Sequence, residues 1–271
     1  MNGTKPGRLR GRARLAVVLR ALGPLLTPGE VAGVLGITAT DAAKLLSRWV
    51  SQGWLTRIRR GLYAVVPLDA VEPVQVLSNP WVLVPRLYAP GYVGGWSAAE
   101  HWDLTEQIFR SLCVLTATPV RAKEQTVQGL TVTLTHVPEE AIFGTRSVWE
   151  GRDKIAVSNP HRTIIDMMDD PRLGGGLQHV SQCLGSYLDL EESDPMKLIE
   201  YGDRLGRGTI FKRLGFLLER SGRGDEKIID ACALRLTAGN SKLDPGQPCR
   251  RLVRRWRLFV PERWAKRRRR D

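Results

Sequence analysis

One stretch decides the fold of the N-terminal region: TPGEVAGVLG, residues 27–36. It places a threonine where a helix N-cap belongs, a proline at the first helical position and a glutamate three residues after the cap. This combination predicts the start of a helix. Gly36 ends that helix, and the next one begins near Thr38 or Thr40. Two helices separated by so short a turn are typical of a helix-turn-helix.

Regular patterns continue on both sides of this stretch. Apolar residues recur at helical spacing from Leu15 to Leu22, and again in a third helix that runs to about Gln52. Residues 54–65 then alternate in polarity around Gly61, a pattern that predicts a β-hairpin. Three helices followed by a hairpin predict a winged helix-turn-helix DNA-binding domain at residues 15–66.

The excess of positive charge lies at the two ends of the chain. The 271 residues carry a formal net charge of +13. Residues 1–64 contain 11 basic and 2 acidic side chains and residues 250–271 contain another 11 and 2, whereas residues 65–249 contain 19 and 24. Basic clusters of this kind are typical of proteins that bind the phosphate backbone of nucleic acids. Charge alone fits a soluble protein with a basic tail equally well.

The third helix has the features of a recognition helix. Its outward face is small, polar and basic, so its side chains can reach base edges in the major groove while arginines of the hairpin contact phosphates or the minor groove. The predicted DNA contacts are Thr38, Thr40, Lys44, Ser47, Arg48, Arg57, Arg59, Arg60 and Tyr63. Secondary contacts are predicted for Arg10, Arg12, Arg14, Arg254, Arg255 and Arg257. Winged helices also serve as protein-docking modules, and that alternative stays open at this point.

The remaining domain boundaries follow from composition. We expect a basic flexible arm at residues 1–14, a linker rich in proline and polar residues at 67–80, a mixed α/β domain at 81–260 and a basic tail at 261–271. The predicted fold class is therefore α+β, with an N-terminal winged helix-turn-helix and a larger mixed C-terminal domain.

Within the larger domain several elements can be predicted. Ser111–Ala117 and Leu130–His136 have strand patterns, residues 176–238 have helical patterns, and residues 256–260 form a last strand. Helices are expected to begin at Ser97, in a capping box with Glu100, and at Asn159, which precedes a proline.

The sequence predicts neither a metal site nor a catalytic site. Its four cysteines form no CxxC pair, and its histidines are never at metal-ligand spacing. Asp166 follows Arg162 by one helical turn, so we expect the Asp166 carboxylate to pair with Arg162 and not to bind a metal ion. Asp189 follows the Gly185-Ser186 pair too closely for a nucleotidyltransferase site. With no membrane-length apolar stretch, we expect a cytoplasmic protein that is not an enzyme and needs no cofactor.

Several blocks of the chain resemble one known family. Residues 27–65, which end in GWLTRIRRGLY at 53–63, look like the N-terminal winged helix of AbiEi antitoxins of type IV toxin–antitoxin systems. Further blocks continue the resemblance in order: YVGGWSAAEHW at 92–102, VSNPHRTIID at 157–166, RLGFLLE at 213–219, and LDP at 243–245 followed by Trp256. The sequence departs from the family at HWDL, residues 101–104, where a small residue is expected before the leucine. The arginine-rich tail lies outside the resemblance.

The resemblance implies a specific function. Members of this family repress their own operon by binding inverted repeats in double-stranded DNA, and they counter a toxin that resembles a nucleotidyltransferase in a phage-defence type of system. Whether neutralisation needs direct contact with the toxin is left open. Two other functions fit the residues: a winged-helix transcription factor whose C-terminal region senses a ligand, and a subunit that recruits a nucleic-acid-processing enzyme to DNA.

Overall fold

The structure is a computed structural model that describes residues 11–66 and 79–265. The chain divides into two compact units, one of residues 1–82, 125–131 and 149–154, and the other of residues 83–124, 132–148 and 155–271. We call residues 11–66 the N-terminal unit and the described part of the second set the C-terminal unit. The first ten residues of the predicted arm, most of the predicted linker and the last six residues of the tail lie outside the described residues.

The N-terminal unit contains three helices and a small sheet. The capping box predicted at residue 27 is confirmed, because the Thr27 hydroxyl accepts a hydrogen bond from the Glu30 N–H at 3.4 Å and the Glu30 carboxylate accepts one from the Thr27 N–H at 3.1 Å. In chain order the elements are α1 (Arg12–Leu22), β1 (Leu25–Leu26), α2 (Pro28–Leu35), α3 (Ala39–Ser51), β2 (Leu55–Arg59) and β3 (Leu62–Val65).

The predicted hairpin is also confirmed. β2 and β3 pair antiparallel, with a bulge between Arg57 and Arg59, and the short β1 pairs with the other edge of β3. Val18, Leu46 and Trp49 are at most 1% exposed and belong to the apolar core of this unit. Helices and sheet therefore share one core, and the faces that point away from it carry the polar residues.

The first helix begins earlier than the sequence predicted. We expected residues 1–14 to form a flexible arm, but α1 already starts at Arg12. Gly11 has a positive φ of 56°, and its carbonyl accepts hydrogen bonds from the N–H groups of Arg14 and Leu15. Arginine is a good helix former, so the basic residues next to Leu15 extend the helix instead of interrupting it. The prediction of an arm is wrong for residues 12–14.

A six-stranded mixed sheet is built from strands between residues 91 and 158. The elements of this region are α4 (Val84–Leu87), β4 (Gly91–Val93), α5 (Gly95–His101), β5 (Ser111–Thr116), β6 (Glu124–Val127), β7 (Leu130–His136), β8 (Thr145–Glu150) and β9 (Asp153–Ser158). Its strand order is β6-β7-β5-β4-β9-β8, in which β4 pairs antiparallel with β5 and parallel with β9. The strands predicted at residues 111–117 and 130–136 are confirmed as β5 and β7.

Helices follow the sheet and enclose the largest apolar core. The helical pattern predicted at 176–238 is confirmed, and Asn159 is an N-cap as expected, since its side chain accepts the Arg162 N–H at 2.8 Å. The helices and short strands after the sheet are α6 (Pro160–Asp169), α7 (Leu177–Asp189), α8 (Pro195–Leu205), α9 (Gly208–Ser221), α10 (Glu226–Leu234), β10 (Ser241–Lys242), β11 (Arg251–Val253), β12 (Leu258–Val260) and α11 (Glu262–Ala265). The last three strands form a sheet in the order β10-β12-β11.

Two local predictions need correction. The helix expected to start at Ser97 begins two residues earlier, because Gly95 adopts a φ of +52° and Gly94 is the N-cap. Ser97 lies inside α5, where its hydroxyl accepts the N–H of Cys113 at 3.0 Å. The basic tail expected from residue 261 begins instead with α11, whose Trp264 is 6% exposed and packs into the core.

Trp256 fills a gap made by a glycine. It lies in a 3-10 turn that precedes β12, is fully buried, and donates from Nε1 to a Glu219 carboxylate oxygen at 2.6 Å. A Cβ atom at Gly215 of α9 would lie 2.1 Å from its ring. Only glycine allows the ring and the helix backbone to approach this closely.

A buried polar network joins α6 to the sheet. Arg162 is 1% exposed; its Nε donates to Asp166 Oδ1 at 2.8 Å and its Nη2 to the Tyr92 hydroxyl at 2.8 Å. That hydroxyl donates to Asp166 Oδ2 at 3.0 Å, while Arg162 Nη1 donates to the Phe143 carbonyl at 3.3 Å. Burial, together with the Asp166 carboxylate, raises the pKa of Tyr92, so the hydroxyl stays a donor. The predicted Arg162–Asp166 pair is confirmed.

Breaking this network should destabilise the protein strongly. Asp166→Ala leaves the Arg162 charge buried without its carboxylate, and we expect the free energy of unfolding to fall by about 3–5 kcal/mol. Urea denaturation followed by circular dichroism measures the change. As a control, Glu262→Ala breaks the Arg251–Glu262 pair, whose side chains are both 64% exposed, and should cost less than about 1 kcal/mol. Equal losses in the two variants would contradict this account of the core.

Candidate DNA interface

α3 separates an apolar face from a polar one. Ala42, Leu46 and Trp49 are at most 1% exposed and face the core of the N-terminal unit. The opposite face carries the predicted contacts Thr40, Lys44, Ser47 and Arg48, all of which are exposed. Positions 40, 44, 47 and 48 fall on consecutive turns of one helix face. Their side chains are therefore presented together to solvent.

The start of α3 is fixed by a local hydrogen-bond pair. The Thr38 hydroxyl accepts the Asp41 N–H at 3.1 Å and donates to Asp41 Oδ2 at 2.8 Å. Thr38 is thus exposed but engaged in capping, which restricts the hydrogen bonds that it can offer to a ligand. Sequence reasoning did not single out Asp41, although a threonine followed three residues later by an acidic residue is the usual signal for such a cap.

The hairpin presents a second basic surface. Arg57 and Arg59 lie on β2 and Arg60 lies in the turn, and all three side chains are exposed. The Arg57 Nε donates to the Arg59 carbonyl at 3.4 Å across the bulge. Gly61 closes the turn with a φ of +80°, a conformation that favours glycine. β2 packs against α3, so the helix face and the hairpin belong to one small unit.

Tyr63 has to be withdrawn from the predicted contacts. Its side chain is 6% exposed and belongs to the core of the N-terminal unit. The reason is its place in the sheet: β3 lies between β1 and β2, Tyr63 pairs with Leu26 on β1, and both side chains belong to the core of this unit. The sequence pattern of the hairpin could not show this because β1, with two residues, was too short to be predicted.

The secondary contacts have different surroundings. Arg10 lies outside the described residues, whereas Arg12 is exposed with its guanidinium 5.5 Å from the centre of the Trp54 ring. Arg14 is only partly exposed.

The C-terminal secondary contacts are all exposed, but two of them already have partners. Arg255 forms an ion pair with Glu219. Arg257 donates from Nη1 to the Thr237 carbonyl at 3.1 Å. Arg254 lies beside them in the 3-10 turn that precedes β12.

Two further carboxylates at the C-terminal end of α6 each pair with an arginine. Asp169 lies 2.9 Å from Arg207, and Asp170 lies 2.7 Å from Arg172. Although burial raises the pKa of Asp170, hydrogen bonds from Arg172 outweigh it and hold that pKa below its usual value. Within residues 11–66 and 79–265, no group of three or more His, Cys, Asp or Glu side chains is arranged to hold a metal ion. In the same ranges no helix is both long enough and apolar enough to span a membrane.

Comparison with known proteins supports the part of the sequence resemblance that lies in the N-terminal unit. Residues 14–66 match the family model described as "Transcriptional regulator, AbiEi antitoxin". The crystal structure of the RV2827C protein from Mycobacterium tuberculosis superposes with a TM-score of 0.61 at 16% identity, over 92% of this chain and 90% of that chain. This likeness shows a shared fold. Among curated proteins, none has a sequence that matches significantly.

Because the candidate contacts on α3 are exposed, they should be dispensable for folding. We expect the double variant Lys44→Ala/Arg48→Ala to keep its free energy of unfolding within about 0.5 kcal/mol of the parent protein. Trp49→Ala, one position further along the same helix but fully buried, should lose about 3–5 kcal/mol. Urea denaturation followed by tryptophan fluorescence and circular dichroism gives both numbers. A large loss in the double variant would mean that these cations support the fold.

Proposed function

We propose that the N-terminal unit is a winged helix-turn-helix that binds duplex DNA, with α3 as recognition helix and the β2–β3 hairpin as wing. One observation carries the proposal: the exposed face of α3 with Lys44 and Arg48, and the exposed arginines of the hairpin, lie in the same residues that match a family of transcriptional regulators. An exposed surface of basic and small polar side chains is suited to duplex DNA. Its phosphates attract the cations, and its base edges offer hydrogen-bond partners to the side chains.

The two surfaces have different tasks in this proposal. Lys44, Ser47 and Arg48 are the side chains that reach base edges, where arginine can bind guanine through two hydrogen bonds. Arg57, Arg59 and Arg60 neutralise phosphates, which adds affinity without sequence preference. Thr38 and Thr40, at the start of α3, lie where a recognition helix approaches the DNA backbone.

We further propose that the protein is an autorepressor and an antitoxin. The description of the matching family supports an antitoxin that regulates transcription. The finer points rest on the resemblance: binding to inverted repeats in its own promoter, a type IV system for phage defence, and a nucleotidyltransferase-like toxin as functional partner. In this proposal the protein acts in the cytoplasm by binding and not by catalysis.

Single substitutions test the two surfaces. Arg48→Ala should weaken binding to the preferred sequence by about 1–3 kcal/mol and reduce discrimination against other sequences, because a base contact is lost. Arg60→Ala should weaken binding to all sequences alike and make the affinity less dependent on salt, because a phosphate contact is lost. Gel-shift titrations of the full chain, on its own upstream DNA and on a scrambled duplex at two salt concentrations, measure both effects.

A matched control separates local contacts from net charge. Arg20 is an exposed arginine on α1 of the same unit, and Arg20→Ala removes the same charge. We expect this variant to keep the sequence preference of the parent protein. If Arg48→Ala and Arg20→Ala behaved identically, α3 would not be the recognition helix.

Repression and neutralisation should separate by mutation. We propose that the C-terminal unit neutralises the toxin, because the resemblance blocks from residue 92 to residue 256 lie outside the DNA-binding unit. Lys44→Ala/Arg48→Ala should then abolish repression of the protein's own promoter while rescue of toxin-poisoned cells remains. Reporter expression measures the first, and growth with both genes on unrelated inducible promoters measures the second. Loss of rescue by a folded and abundant double variant would show that neutralisation works through DNA binding.

A further inference from the structure

The small sheet near the C-terminus has one buried face and one face that points away from the core. Leu258 and Val260 of β12 are fully buried in the largest apolar core, and Val253 of β11 packs against it. Side chains alternate along a strand, so Phe259 and Leu252 lie on the opposite face of the sheet. Leu252 is 41% exposed and Phe259 is partly exposed. This face therefore presents an aromatic ring and an aliphatic side chain to solvent.

The strand register arranges three side chains in one row across the outer face. Phe259 lies opposite Leu252 in the antiparallel pair of β11 and β12, and opposite Lys242 in the parallel pair of β10 and β12. Side chains at directly opposite positions of neighbouring strands contact each other. The ring thus stands between an exposed apolar side chain and an exposed ammonium group. We call Lys242, Leu252 and Phe259 the sheet platform.

Positive charge surrounds the sheet platform. Residues 250–257 include five arginines and no acidic residue. Only two of these arginines are neutralised by ion pairs, Arg251 with Glu262 and Arg255 with Glu219. The other arginines directly precede or follow β11 or directly precede β12. The exposed cations that form no ion pair within residues 11–66 and 79–265 are Lys242, Arg250, Arg254 and Arg257.

A buried lysine adds to this charge. Lys212 of α9 is 1% exposed, and its ammonium group donates to the Gly239 carbonyl at 2.9 Å and to the Ser241 hydroxyl at 3.4 Å. Both acceptors are neutral. Burial lowers the pKa of Lys212, and the charge of Arg257 lowers it further. Cations that repel each other in this way favour the binding of an anion at the surface above them.

The composition of this face selects among possible partners. A second copy of the chain would bring the same cations together, so charge repulsion opposes it. An acidic peptide would satisfy the cations but has no flat ring to place on Phe259. A nucleic acid has both phosphates and bases, and bases stack on aromatic side chains at about 1–3 kcal/mol each. In a duplex the faces of the bases are covered by their neighbours, so the ring indicates a single strand.

One further side chain favours RNA over DNA. Asn240 directly precedes β10 and is exposed. Its amide can both donate and accept a hydrogen bond, and the 2′-hydroxyl of ribose can do the same. The 2′-hydroxyl is the group by which a protein distinguishes RNA from DNA at a given site.

We propose that the sheet platform binds single-stranded RNA. A base stacks on Phe259, phosphates contact Lys242 and the arginines beside it, and Asn240 contacts a 2′-hydroxyl. All of these residues belong to the C-terminal unit, so the proposal does not depend on the proposed interface with duplex DNA. It also assigns a different ligand to Arg254 and Arg257, which the sequence predicted as secondary contacts with duplex DNA.

Fluorescence anisotropy of the full chain tests the proposal with three labelled probes of about 12 nucleotides: oligouridine, oligodeoxyuridine and an RNA duplex. We expect oligouridine to bind about fivefold more tightly than either of the others. No binding of oligouridine would overturn the proposal, and so would an RNA duplex or a DNA strand that bound as tightly. Displacement of oligouridine by oligoglutamate of equal charge and concentration would show that charge alone is recognised.

Substitutions at Phe259 test the stacking. Phe259→Leu keeps an apolar side chain but removes the ring, so the affinity for oligouridine should fall about tenfold. Phe259→Tyr keeps the ring and should bind within about twofold of the parent protein. Phe109 is also partly exposed, and Phe109→Leu makes the same change away from the small sheet, where it should leave the affinity unchanged. Equal losses in the two leucine variants, with folding verified by circular dichroism, would contradict the assignment.

A second pair of variants tests the place of binding. Leu252→Glu adds a negative charge to the sheet platform at an exposed position, and the affinity should fall about tenfold. Ile108→Glu makes the same change at a position that is 85% exposed and outside the small sheet, and it should have little effect. If both variants bound oligouridine equally well, the RNA would lie elsewhere.

The DNA-binding variant keeps the two proposals apart. Lys44→Ala/Arg48→Ala should bind oligouridine like the parent protein, since its substitutions lie in the N-terminal unit. If that variant lost RNA binding, the RNA would be bound by α3 and the assignment to the sheet platform would be wrong, whatever the gel-shift experiments show.

Discussion

The need to surround one buried guanidinium constrains the C-terminal unit. An unpaired charge at the depth of Arg162 would cost several kcal/mol, so its partners have to be in place together. They come from α6 itself, from Tyr92 on β4 and from the carbonyl of Phe143 in the loop before β8. Hydrogen bonds form only at particular distances and angles, so this network allows a single arrangement of α6 against the sheet. α7, α8 and α9 then pack against α6 in that position.

The two units expose positive charge in different ways. In the N-terminal unit the cations stand on an exposed helix face and a hairpin, where a large partner can approach them all at once. In the C-terminal unit Arg220, Arg223 and Arg263 donate hydrogen bonds to carbonyl and amide oxygens of the protein. The first arrangement suits a macromolecule with a repeating charge.

Local signals in the sequence predicted local structure well. The capping residues Thr27 and Asn159 were sufficient to predict two helix starts, and the alternation around Gly61 was sufficient to predict the hairpin. Each of these features depends only on neighbours a few residues away. Pairings between distant segments, such as β4 with both β5 and β9, leave no such signal. Tyr63 shows the limit within the candidate site: its burial depends on a two-residue strand that no periodicity can reveal.

The contact between Gly215 and Trp256 also affects how the chain can fold while it is being synthesised. Trp256 fills the space that Gly215 leaves at the surface of α9, and its ring is fully buried there. A ribosome makes α9 before it makes residue 256, so the nascent helix leaves the exit tunnel with an apolar notch still open to water. The core of this unit is completed only when the later segment arrives. Until then this apolar surface of α9 would be open to chaperones. A chain that ended before residue 256 would lack Trp256, and its core would stay incomplete.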